Sequence, residues 1–186
     1  MQDAVAGRLR VGRPLSRRGE PALIRAAQAG SADAVDELFR RHWPAAHRAA
    51  WLVVHDAAAA EDIAQEAFLS ALRALDRFDR RRPLGPWLHR IVVNRAIDWS
   101  RARALRPETA AVPDAPSGDE DSGLGEEVVA ALAALGPEHR AVVVLRHLLG
   151  YTPGEIATML DLPRGTVNSR LRRALDALSL SLEEER

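Results

Sequence analysis

Two sets of side chains in this 186-residue chain carry polarity at spacings that chemistry can use. The first is Glu61, Asp62, Gln65 and Glu66, with Leu69 beside them, which helical spacing throws onto one side of a single helix. Such a patch is plain surface, a divalent-cation site or a docking face for a basic partner. Cation binding asks for ligands converging from a second element or for a histidine at ligand spacing, and neither is present, so no metal is expected. The second set lies in the acid-free run Pro163–Ala174: Arg164, Thr166, Asn168, Ser169, Arg172 and Arg173. Guanidinium groups neutralise phosphates and pair with guanine, an Asn amide matches adenine, and hydroxyls reach either. That run reads as a DNA-contacting surface or, more plainly, as the solvated face of a helical hairpin.

Catalysis finds no comparable footing. The six histidines are scattered singly, no Gly-rich phosphate loop occurs, and no Ser/His/Asp or Cys/His constellation forms. The chain is expected not to be an enzyme and to need no cofactor. With no cysteine, disulfides, thiol redox sensing and Cys-ligated zinc are excluded. No apolar run reaches the roughly 18 residues of a membrane helix, and the arginines near the N-terminus are followed by no apolar stretch, so a cytoplasmic location is expected.

The elements that must carry these residues read as helices. Ala, Leu and Arg dominate, β-branched residues are sparse, and aromatics make up only 4%. Residues 1–20 are basic and aperiodic, a disordered tail. Pro21 opens a short helix that stops at Gly30, and Ser31 caps the next, which Pro44 is expected to kink or divide. Asp56 caps a helix from about 57 to 78, with Ile63, Ala67, Leu72 and Leu75 as its buried stripe and Leu69 flanking. The loop 79–86 holds Arg80, Arg81 and Arg82. A fourth helix follows, with Trp87, Leu88, Ile91, Val92, Ala96, Ile97 and Trp99 inward and Arg90, Asn94, Arg95, Arg101 and Arg103 outward. Arginines interleaved with tryptophans suit single-stranded or melted DNA, where stacking joins phosphate neutralisation; packed tryptophans with solubilising arginines are the plainer account.

Residues 106–125 carry Pro, Gly, Ser and acids without periodicity, a flexible linker. Two further helices lead to Thr152-Pro153 and Glu155, a capping box. Pro163 ends that helix, and the last one runs on with Val167, Leu171, Leu175 and Leu178 buried. A capped helix, a tight turn and an Arg-faced second helix is the layout of a helix-turn-helix. The net charge of zero hides segregation along the chain: residues 73–106 hold ten arginines against three aspartates, whereas residues 107–138 hold eight acids and no base. All 26 Lys+Arg residues are arginine.

Three segments in this order, AEDIAQEAFLSALRALDRF, PWLHRIVVNRAID and LGPEHRAVVVLRHLLGYTPGEIATMLDLPRGTVNSRLRRAL, are similar to bacterial sigma factors of the extracytoplasmic-function (group 4) type. The resemblance implies an all-α protein of two helical domains joined by the acidic linker: residues 21–105 like sigma region 2 and residues 126–182 like the region 4 helix-turn-helix. It further implies that Glu61, Asp62, Gln65, Glu66 and Leu69 dock on the β′ clamp helices of core RNA polymerase. Arg80, Arg81, Arg82, Trp87, Arg90 and Asn94 would meet the −10 element, where a base is extruded and the duplex opened. Arg164, Thr166, Asn168, Ser169, Arg172 and Arg173 would read the −35 element while the domain rests on the β-flap. An anti-sigma factor is an expected further partner. Asn168 stands where the family often has a basic residue, which points to an altered −35 preference. The segment GTVNSRL also suits a stand-alone LuxR-like regulator, which would carry a ligand pocket or a βα receiver where this chain reads as all helix.

Overall fold

The structure, a computed structural model, describes residues 19–105 and 124–184. All but the last two residues of the expected basic tail, and nearly all of the expected linker, lie outside them; Glu20, expected to end the disordered tail, instead opens the first helix, one residue ahead of Pro21. Among the described residues eight α-helices follow in order: α1 (Glu20–Gln28), α2 (Ala32–Val54), α3 (Ala57–Ala74), α4 (Leu84–Ala104), α5 (Glu126–Ala134), α6 (Pro137–Val143), α7 (Pro153–Leu160) and α8 (Arg164–Glu184). A 3-10 turn, Leu75–Arg77, follows α3, and a π-helical turn, Val144–Leu148, extends α6. No strand occurs among the described residues, and none of their helices is long and apolar enough to cross a membrane.

The helix starts follow local chemistry. Ser31 accepts from the Ala34 N–H and Asp56 from the Ala59 N–H, each satisfying an amide the helix leaves unpaired. Thr152 and Glu155 form the reciprocal capping box of α7. The turn to α8 is made by Asp161, which ends α7 in the left-handed region at φ 53°. Pro44 does not divide α2, which runs unbroken for 23 residues. The proline costs one backbone hydrogen bond, but α2 is packed by α1, α3 and α4 together, and that burial outweighs the loss.

The buried stripe of α3 also departs from expectation. Ile63, Ala67 and Leu75 are buried, but Phe68 and Ala71 complete the stripe while Leu69 and Leu72 stay 51% and 38% exposed. The helix itself ends at Ala74, so Leu75 enters the core from the 3-10 turn. On α8 the small Ala174 takes the buried position and Leu175 turns outward. The stripe is thus Val167, Leu171 and Ala174, with Leu178 partly covered.

Helices α1–α4 make one bundle, and α5, α6 and α7 pack on α8 to make the second. The two share one continuous core: Leu52, Leu88 and Val92 from the first group pack in the same cluster as Leu132, Val142, Leu145 and Ile156 from the second. Each such fully buried side chain contributes about 1.5–3 kcal/mol. A smaller satellite core joins Leu23, Ile24 and Ala27 of α1 to Leu38, Leu75 and Leu84.

Candidate functional site

The expected −35 residues sit together at the exposed start of α8. Arg164, Asn168, Arg172 and Arg173 are exposed, and the apolar stripe behind them holds the helix down on α6 and α7. Thr166 and Ser169 are half-buried, and the Ser169 hydroxyl donates to the Thr166 carbonyl (2.9 Å). Of the six, the three arginines and Asn168 are the exposed ones that can reach outward; the two hydroxyl residues lie half-buried in the first turns.

On α3, Glu61, Asp62, Gln65, Glu66 and Leu69 are all exposed. The Gln65 amide donates to Glu61 (2.9 Å), and Glu66 accepts from Arg95 of α4 (2.6 Å), which also reaches Ser70 (2.8 Å). The exposed Leu69 and Leu72 follow in the next turn, and the half-exposed Phe39, ring to ring with Phe68 at 4.8 Å, lies alongside. The face is therefore carboxylate at one end and apolar at the other, a pattern fit for a partner helix with a basic end. Among the described residues no group of three or more histidine or carboxylate side chains is placed to hold a metal ion.

The arginine loop lies between Phe78 and Leu84. Asp79 folds it into a turn by accepting from the Arg81 N–H through its carboxylate (3.0 Å) and from the Arg82 N–H through its carbonyl (2.9 Å). Arg80, Arg81 and Arg82 point to solvent, and Phe78 packs on Trp87 with the rings tilted at 35° and their centroids 4.7 Å apart. Arg82, Trp87 and Arg90 line an open cleft whose far wall is Glu155, Thr158 and Met159 of α7. Asn94 does not face outward as expected: it is half-buried, and its amide donates to the Met159 carbonyl (3.2 Å). Trp99 is half-buried under Arg103, whose guanidinium lies 5.0 Å from the ring centroid, so this tryptophan serves packing.

Two residues that periodicity did not single out, Arg140 and His89, tie the two helix groups together, and a third, His55, is buried beside Arg140. Arg140 of α6 is 8% exposed, and among the described residues no ion pair to an acid is found for it. Its guanidinium instead donates to the carbonyls of Leu132 (2.8 Å), Ala133 (2.7 Å) and Leu135 (2.7 Å) and across to that of Val53 in α2. Burial pulls it down to about 10, so it keeps its charge at neutral pH. His55, left-handed at φ 51°, ends α2 beside it. Burial and then the Arg140 charge hold this imidazole down to about 4, only partly offset by a hydrogen bond with the Leu52 backbone. His89 of α4 is likewise held to about 4, by burial and secondly by His42, and its Nδ1 lies 2.7 Å from the Tyr151 hydroxyl. Burial and the neighbouring Glu155 push that phenol up to about 12. One signal was available: Arg140 precedes the apolar run AVVVL, where an arginine is buried with the rest or not at all.

Comparison with known proteins places the chain among a single kind. The sequence profile of Sigma-70 region 2 matches residues 38–106, and that of Sigma-70, region 4, matches residues 125–178. The ECF RNA polymerase sigma factor SigM of Mycobacterium tuberculosis (strain ATCC 25618 / H37Rv) is 38% identical over 160 residues, which cover 84% of this chain and 81% of SigM. Among solved structures, CnrH in complex with the cytosolic domain of CnrY matches with a TM-score of 0.68 and 30% identity, over 90% of this chain and 99% of that one. RpoE in complex with the anti-sigma factor NepR, from Bartonella quintana, shares the fold with the same TM-score at 22% identity, over 81% of this chain and 98% of that one.

Proposed function

Since the chain belongs to the extracytoplasmic-function (group 4) sigma factors of bacterial RNA polymerase, we propose a division of its work among three faces. The protein directs core polymerase to specific promoters and assists their melting; RNA synthesis itself is left to the polymerase. Helix α8 reads the −35 element through Arg164, Asn168, Arg172 and Arg173, with Thr166 and Ser169 at its first turn. What carries this reading is that these four side chains share the exposed start of one helix whose opposite stripe is buried. Arginine is matched to phosphate and guanine and Asn168 to adenine, so the −35 sequence read here includes an A·T pair opposite Asn168.

Arg80, Arg81 and Arg82, with Trp87 and Arg90, track the melted −10 strand, joining charge neutralisation to an aromatic platform. Asn94 joins them only once its bond to Met159 is given up. Glu61, Asp62, Gln65, Glu66 and Leu69 dock on the β′ clamp helices, and the second domain, residues 126–182, rests on the β-flap. A dissociable anti-sigma partner is part of the proposal, because CnrH and RpoE were each solved with a protein bound. A cytoplasmic location follows from work on polymerase and chromosome. The stand-alone regulator reading is not favoured: residues 19–105 form a helical bundle, not a receiver.

Run-off transcription with purified core polymerase on a promoter library, with and without this chain, tests the whole. New, shared start sites are expected only when the chain is added; an unchanged transcript pattern refutes the proposal.

A further inference from the structure

The arginine loop is held at both ends by a helix that lies outside the matched region-2 segment, residues 38–106. At the entering end, Gln28 of α1 donates from one amide to two carbonyls, Leu75 (2.9 Å) and Phe78 (3.0 Å). At the leaving end, Glu20 accepts from the Leu84 N–H (2.7 Å) through Oε1, while its Oε2 lies 3.0 Å from His42 Nε2. Helix α4 begins after Pro83, which offers no side-chain cap, so a carboxylate 64 residues away supplies the missing acceptor for its first turn. Between Glu20 and Gln28 the inner face of α1, Leu23, Ile24 and Ala27, is buried in the satellite core with Leu75 and Leu84, the residues that flank the loop.

The loop needs such a brace on physical grounds. Three consecutive guanidinium groups repel one another, and a loop that must present them to a phosphate backbone loses affinity to the entropy of ordering unless its ends are already fixed. We infer that α1 is a clasp for the arginine loop, with Glu20 and Gln28 as positioning residues for promoter opening. This rests on the reading of the loop as the −10 contact. Neither residue touches DNA; each fixes one anchor from which the arginines project.

The test uses reconstituted holoenzyme on a cognate promoter and separates two readouts, retention of the chain on core polymerase and permanganate reactivity of the −10 region. Gln28→Ala and Glu20→Ala are expected to keep core affinity but to slow opening roughly tenfold each, the scale of two lost neutral hydrogen bonds for Gln28 and of one lost charge-assisted hydrogen bond for Glu20. Glu20→Gln keeps an acceptor for the Leu84 N–H and is expected to restore most of the rate. The variant with Arg80, Arg81 and Arg82 all changed to Ala is the control for the loop itself. If that control slows opening but Gln28→Ala and Glu20→Ala do not, the clasp is refuted. It is equally refuted if opening and core retention fall in parallel in the α1 variants, which marks loss of general stability, or if Glu20→Gln behaves as Glu20→Ala. If the triple variant opens promoters normally, the −10 reading of the loop fails and the clasp falls with it.

Discussion

Acid should loosen this protein well above the range in which carboxylates titrate. His55 and His89 are each held to about 4 against an ordinary 6.5, because both are buried and a second basic group, Arg140 for His55 and His42 for His89, opposes the charged form. An unfolded chain binds protons at these positions once the pH drops through 6.5, whereas the folded chain does not until about 4. Stability therefore falls as pH falls through that window. At pH 5 the unfolded imidazole is nearly all charged and the folded one nearly all neutral, which costs about 2 kcal/mol per histidine and about 4 kcal/mol for the pair. Set against the 5–15 kcal/mol typical of a domain, that is a large fraction. Glu138 and Glu155 are held below the usual carboxylate range, Glu138 chiefly by the Arg101 guanidinium working against burial and Glu155 by the Thr152 cap. Their contributions are present above that range and are lost only below pH 4.5 or so. Urea unfolding followed by circular dichroism at pH 7.5 and pH 5 should show the drop. His55→Asn, an amide that tolerates the left-handed backbone, and His89→Gln should each remove about half of it. An unchanged midpoint between the two pH values, or a drop that persists in the double variant, refutes the reasoning.

Asp62→Arg combined with Glu66→Arg should abolish association with core polymerase in a pull-down while leaving helical content unchanged, since the exposed Glu66–Arg95 pair is worth at most about 1 kcal/mol to the fold. Asn168→Ala should weaken binding to a promoter carrying the preferred −35 sequence by roughly 1–3 kcal/mol and relax selectivity at one base pair, read by competition binding of holoenzyme. Thr152→Ala removes the cap of α7 and should cost about 1 kcal/mol, visible as a fall of a few degrees in Tm by calorimetry. Arg140→Leu strands several buried carbonyls at once and should cost about 3 kcal/mol or more, measured by urea unfolding.

What the sequence disclosed was whatever depends on near neighbours. Ser31, Asp56 and Thr152 cap their helices as read, because a cap and its target amide are three residues apart. The break at Asp161 follows from Pro163 beyond it. Leu69, Leu72 and Leu175 were harder, because several apolar residues compete for one face. Phe68 and Ala174 won by fitting the partner helices, which periodicity does not describe. Pro44 leaves α2 whole for the same reason, its local penalty being small beside the packing of α2. The inward position of Asn94 and the burial of Arg140, His55 and His89 do not follow from local pattern, because they are set by atoms far along the chain. Met159 is 65 residues from Asn94 and Val53 is 87 from Arg140.

The shared core of the two helix groups sets a limit of scale. Some 150 packed residues make a body with a radius of gyration near 15 Å. Promoter elements centred 25 base pairs apart lie about 85 Å from each other along straight duplex, at 3.4 Å per pair. A molecule folded in half cannot straddle that interval. On the proposed assignment of one element to each helix group, holding both at once requires parting the seam where Arg140 grips Val53 and Asn94 grips Met159. Whatever surface the polymerase offers in exchange for that seam is then as much a part of promoter choice as the bases themselves.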